Sequence, residues 1–140
     1  MKKIILILAT VTLFNSNVFA ETVSSINTNN SQYTEIMPQN IAIIDHSRIL
    51  TISSGTANCY GYTKTQSGYS AKVTVELQRK GTAWTTIKTW TASDSVKAVV
   101  DETYSVSNGY SYRLKTTHYA LNSSGSVIES TVKYSSTISY

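Results

Sequence analysis

Apolar and polar residues alternate along most of the chain after residue 55, and nowhere there do apolar positions recur at the three-and-four spacing of a helix. The cleanest run is Ala71–Lys80, where Val73, Val75 and Leu77 alternate with Lys72, Thr74, Glu76 and Gln78. One face of such a strand packs and the other meets water. Tyr112, Leu114 and Thr116 oppose Ser111, Arg113 and Lys115 in the same way. Val96, Ala98 and Val100 alternate with Lys97, Val99 and Asp101, less cleanly. Over Val127–Ser139 the expected inward set is Ile128, Val132, Tyr134 and Ile138. Turn signals separate these runs at Ser54-Gly55, Ser67-Gly68, Lys80-Gly81, Ser93-Asp94-Ser95, Asn108-Gly109 and Ser123-Ser124-Gly125. Ile41–Ile44 and Arg48–Ser53 add one or two short edge strands in front. The pattern predicts an all-β domain over residues 39–140, a single antiparallel β-sandwich of about seven to eight strands.

The first 20 residues follow another rule. Lys2-Lys3 precedes the apolar run Ile4–Phe14, which Asn15-Ser16-Asn17 and Val18-Phe19-Ala20 close. A basic start, a short apolar core and small residues before the cut predict a signal peptide over residues 1–20, cleaved between Ala20 and Glu21. An apolar run of 11 residues falls short of the ~20 needed to span a bilayer. The expectation is a secreted, extracellular protein with no stable membrane insertion. Residues 21–38, polar and rich in turn-formers up to Pro38, read as a flexible tail.

Composition narrows the function classes. The chain has 12 basic and 8 acidic residues, and loss of Lys2 and Lys3 with the signal leaves a net charge of only +2. Spread over the whole chain, that charge does not predict nucleic-acid binding. Cys59 is the single cysteine, so no disulfide framework exists within one chain. Its neighbours Ala57 and Gly61 share its strand face, which predicts a buried, inert thiol.

Catalytic signatures are missing from the sequence. It contains no Gly-x-Ser-x-Gly elbow, no His-x-x-x-His pair and no phosphate-cradling glycine run. His46 and His118 read as polar strand-end residues, and Asp94, Asp101, Glu102 and Glu129 as singly solvated carboxylates. A protein that is not an enzyme is expected, with no cofactor and no metal.

One segment carries a resemblance. Val106-Ser-Asn-Gly-Tyr-Ser-Tyr112-Arg-Leu-Lys-Thr116 resembles the part of fibronectin type III domains that holds the tyrosine corner, with Val106, Gly109 and Tyr112 at the matching positions. The resemblance implies an immunoglobulin/fibronectin type III-like sandwich in which the Tyr112 hydroxyl bonds back to the corner backbone. Asn108 departs from it, since those domains often carry Pro there, and Asn-Gly also signals a two-residue hairpin. Corner and hairpin both stay open at this point. The wider layout, with Leu77-Gln78-Arg79-Lys80, Trp84, Trp90, Gly109–Arg113 and Glu129-Ser130, resembles a group of small secreted β-proteins of Gram-positive bacteria. That likeness implies fold and location but no activity.

Trp84 and Trp90 stand six residues apart on one expected strand, so uninterrupted alternation puts both indoles on the same face with Lys88. The functional expectation is an aromatic platform of Trp84, Lys88 and Trp90 for extracellular glycan or protein. The competing expectation is that at least one indole is core, because a domain without Phe fills its interior with Trp, Tyr and aliphatics. Trp90 is then the buried one and Trp84 the more exposed. A structural protein that assembles through sheet edges is the alternative function, because Pro-free, Thr-rich strands leave edges open.

Overall fold

A computed structural model describes residues 42–140. The expected signal peptide with its cleavage residues Ala20 and Glu21, and the expected tail over residues 21–38, lie outside the described residues. The described chain is all-β, with β1 (Ile43–Ser53), β2 (Thr56–Thr65), β3 (Ser70–Lys80), β4 (Trp84–Asp94), β5 (Lys97–Ser105), β6 (Ser111–Leu121), β7 (Val127–Tyr134) and the short β8 (Ile138–Ser139). These strands form two antiparallel sheets. One has the order β1-β2-β5; the other has β4-β3-β6-β7, with β8 also on β6.

The two expected edge strands before Gly55 are one continuous strand, β1, with a register irregularity between Ile43 and Asp45. Asp45 and His46 lie inside it. The β1–β2 connection is a two-residue turn in which Ser54 and Gly55 have φ of 49° and 78°. Those left-handed values match the twist of the flanking strands and favour glycine. Asn108-Gly109 joins β5 in the first sheet to β6 in the second, so it is a corner between sheets and not a hairpin. The Tyr112 hydroxyl donates to the Ser107 carbonyl at 2.7 Å, and the ring is 1% exposed. Tyr112→Phe leaves that carbonyl without its partner. The urea midpoint is expected to fall by the equivalent of about 1–2 kcal/mol, and an unchanged midpoint would make the corner bond energetically idle.

Both sheets contribute to one apolar cluster. Leu50, Ala57, Cys59, Ala98 and Val100 from the first meet Ala71, Val73, Val75, Leu77, Tyr112 and Leu114 from the second. Gly61 permits a close approach between the sheets, because a Cβ there would sit 2.8 Å from Val75 Cγ2. Cys59 is fully buried, and desolvation pushes its thiol up to about 12, which suppresses the nucleophilic thiolate. A smaller cluster of Ala42, Ile43 and Ala120 lies further along β6.

Between the two clusters runs a polar layer. His118 is fully buried, with Nδ1 2.8 Å from Thr63 Oγ1 and Nε2 2.8 Å from Thr116 Oγ1. Its ring stacks on His46 at 4.6 Å, and the His46 Nδ1 is buried with no hydrogen-bond partner among the described residues. The expected solvated strand-end His118 is therefore a core residue. Burial, aided by the charges of His46, Arg48 and Lys133, lowers it to about 4.

Strand β7 reverses the expected orientation. Ile128, Val132 and Tyr134 are 44%, 46% and 46% exposed, whereas Glu129, Thr131 and Lys133 are less exposed. Their inner side faces the polar layer rather than the apolar core, since Thr131 and Lys133 stand opposite His118 and Thr116. Glu129 is not simply solvated either: its Oε2 accepts the Ala42 and Ile43 amides at 2.7 and 3.0 Å. Only Ile138 of the expected inward set packs against the main core.

Candidate functional site

Register decides which side chains share a surface. On β6, burial of Tyr112, Leu114 and Thr116 turns Ser111, Arg113, Lys115, Thr117 and Tyr119 outward. On β3 the same alternation turns out Lys72, Thr74, Glu76 and Gln78, and on β7 Val132 and Tyr134 face out opposite Thr117 and Lys115.

Strand β4 does not keep simple alternation. Leu77 pairs with Lys88 but Gln78 with Thr86, so Ile87 is an extra residue in a bulge. The inserted residue shifts the alternation of side chains by one. Trp90, paired with Val75, packs against the core and meets the Tyr104 ring edge-on at 6.3 Å. Trp84, paired with Lys80, lies on the outer face. The expected platform of Trp84, Lys88 and Trp90 is not assembled: Lys88 reaches over the Trp90 ring at 5.9 Å, on the opposite side of the sheet from Trp84. Val106, Gly109 and Tyr112 form the corner and make no part of this surface.

The outer face of the five-stranded sheet carries a different constellation. The Arg113 guanidinium sits between two rings, its Cζ 4.2 Å from the Trp84 centroid and 4.3 Å from that of Tyr134. Each ring offers the cation its negative face, and together they hold the guanidinium in place. Arg113 Nε donates to Gln78 Oε1 at 2.9 Å, Gln78 Nε2 to Thr86 Oγ1 at 3.2 Å, and the Thr86 hydroxyl to Glu76 Oε1 at 3.0 Å. Lys115 closes the row with a 2.8 Å ion pair to Glu76, which raises the lysine above its ordinary value. Lys80 extends over Trp84 at 5.8 Å and Lys72 over Tyr119 at 5.4 Å. The result is a sheet face that carries aromatic rings, hydrogen-bonded polar groups and cations on paired strands.

Neither Arg113 nor Tyr134 stands out in the sequence as a site residue, and Tyr134 is expected there to point inward. Arg113 was legible as outward from the Tyr112–Leu114 alternation, but nothing local links it to a tryptophan 29 residues earlier. The outer face of the three-stranded sheet differs in charge. It presents Ile49, Tyr60, Tyr62 and Val99 among Asp45, Asp101, Lys64 and Lys97, so its charges balance. There the Tyr62 hydroxyl donates to Asp45 at 2.6 Å and holds that carboxyl below its ordinary value.

Among the described residues no three His, Cys, Asp or Glu side chains gather at one point that could hold a metal ion. Asp94, Asp101 and Glu102 lie on the β4 and β5 edge strands, and Glu129 on β7 at the other side of the sheets. No protein-family model, curated protein or solved structure matches the chain.

Proposed function

We propose that the protein is a secreted, non-catalytic binding module that grips an extracellular glycan or protein with the outer face of its five-stranded sheet. The observation that carries this reading is the Trp84–Arg113–Tyr134 stack. A cation held between two aromatic rings on an exposed face, with its hydrogen bonds arranged across three strands, is more order than folding alone requires. Aromatic residues and Arg also dominate the energetics of recognition surfaces.

The fold belongs in the same proposal. Taken in chain order, strands one, two and five form one sheet, and strands three, six and seven lie in the other. That distribution, with a tyrosine bonded back across the β5–β6 corner, supports an immunoglobulin/fibronectin type III-like sandwich. Strand four pairs with strand three instead of strand five, a departure from the constant-type immunoglobulin arrangement.

Edge assembly is the weaker reading. Each edge strand carries a charged residue on its core-facing register: Arg48 on β1, Lys88 on β4, Glu102 on β5 and Lys133 on β7. Inward-pointing charges and bulges are devices that discourage pairing with another chain.

Binding of the purified protein to a panel of immobilised extracellular polysaccharides tests the proposal. Trp84→Ala and Tyr134→Ala are each expected to weaken binding by about tenfold, in line with loss of an aromatic contact. Ile49→Ala on the other outer face is expected to leave it unchanged. Absence of binding across the panel would remove glycan as the ligand, and equal loss from Ile49→Ala would remove this face as the site.

A further inference from the structure

The charge on the candidate face names a ligand class, an inference that rests on the binding-module reading. Lys72, Lys80, Arg113 and Lys115 share the face with a single carboxylate, Glu76, whereas the other outer face has two cations and two carboxylates. The modest net charge of the chain is thus concentrated on one surface, a distribution invisible in composition. Arg113 adds direction to it. Its guanidinium carbon lies over two rings, at 4.2 Å from Trp84 and 4.3 Å from Tyr134, its Nε–H is taken by Gln78, and its terminal amino groups have no protein partner among the described residues. Those remaining N–H groups form a fork that fits a planar or tetrahedral oxyanion in bidentate fashion. Because the rings and Gln78 already fix the side chain, little rotamer entropy remains to be lost on binding.

We propose that this face binds an acidic polysaccharide, with the free edge of Arg113 as the oxyanion receptor and Lys72 and Lys80 as flanking charges. Along β3, Lys72 and the Gln78–Arg113 pair are six residues apart, about 20 Å at the usual strand rise. A ligand that engages both is a polymer, not one sugar ring. Exposed Tyr134, together with half-buried Tyr119 and Trp84, supplies the apolar edges against which sugar C–H groups pack.

The probes are polygalacturonate (carboxylated), dextran sulfate (sulfated), neutral dextran and a single-stranded oligonucleotide of similar length. Both acidic polysaccharides, or one of them, are expected to bind about tenfold more tightly than dextran at low salt. The preference should fade as NaCl rises from about 50 to about 500 mM. Arg113→Gln is expected to abolish the preference and Arg113→Lys to restore only part of it, since lysine keeps the charge but loses the fork. Lys72→Gln gives a smaller loss with a weaker salt dependence and serves as an independent reading if Arg113 variants melt early. Tight binding of dextran without salt dependence would overturn this inference while leaving the binding-module reading intact. Binding to no polysaccharide would overturn this inference and, with it, the glycan form of the binding-module reading. Tighter binding of the oligonucleotide than of either acidic polysaccharide would assign the face to nucleic acid and overturn it as well.

Discussion

Between pH 7.5 and pH 4.5 the domain is expected to lose about 2–3 kcal/mol of stability, most of it through His118. The residue is fully buried in the polar layer and is lowered from an ordinary 6.5 to about 4. Burial is the leading cause, and the charges of His46, Arg48 and Lys133 act in the same direction. An unfolded chain takes up the proton near pH 6.5, and the folded chain resists until near pH 4. Over that window the unfolded state binds more protons, so stability falls as pH falls, then levels off below the folded value. His46 is lowered too, by desolvation and by Lys133 and Arg48, and adds to the loss with the same sign. Asp45, held low by Tyr62, responds only at more acidic pH and stays out of this window.

Urea titrations at pH 7.5 and pH 4.5 read the effect. His118→Gln is expected to be less stable than the parent at pH 7.5, because the amide loses the stack on His46 and fills the imidazole's space less well, but to lose much less on acidification. An equally acid-sensitive variant would place the effect elsewhere. Hydrogen bonding alone does not forbid the imidazolium, since both threonine hydroxyls can turn to accept. The penalty is desolvation and like charge, with a second imidazole stacked 4.6 Å away and Arg48 and Lys133 nearby.

How far the sequence reveals this protein depends on where each strand sits. Strand β3, and β6 as far as Thr116, are legible residue by residue because both are central in the sheet and bury one face against apolar groups. Strand β7 was read inside out. At the sheet edge its inner side meets His118 and Thr116 rather than the apolar cluster, so its polar residues point in and its apolar ones point out. Periodicity identifies two faces but not the polarity of what lies beneath them. His118 was misread for the same reason: the threonines that accommodate it come from β2 and from two residues earlier on β6.

The candidate site was only partly legible. Trp84 was singled out, but its partners come from β3, β6 and β7, and only the register unites them. The bulge at Ile87 also escaped the sequence. No glycine marks it, since Thr85–Trp90 reads as an ordinary β-branched strand. That one inserted residue separates the two indoles that simple alternation put together.

The same bulge sets the second large expectation: Trp90→Ala costs about 2–4 kcal/mol, whereas Trp84→Ala changes stability by less than about 1 kcal/mol. Trp90 faces the core from β4 and closes the gap between sheets against Tyr104 of β5. Its removal opens a cavity at the sheet border, partly relieved by water because the indole is not fully enclosed. Trp84 lies on the opposite side, over solvent, and its contacts there are to the cationic side chains of Lys80 and Arg113. Such contacts contribute about 0.5–1 kcal/mol at exposed sites. Urea midpoints at pH 7.5, above the histidine window, compare the two directly. Binding should reverse the order, with folded Trp90→Ala keeping its affinity for the polysaccharide probes and Trp84→Ala losing it. Were Trp84→Ala the more damaging substitution in the urea titration, the indole would be serving the core and the outer-face site would lose its aromatic anchor.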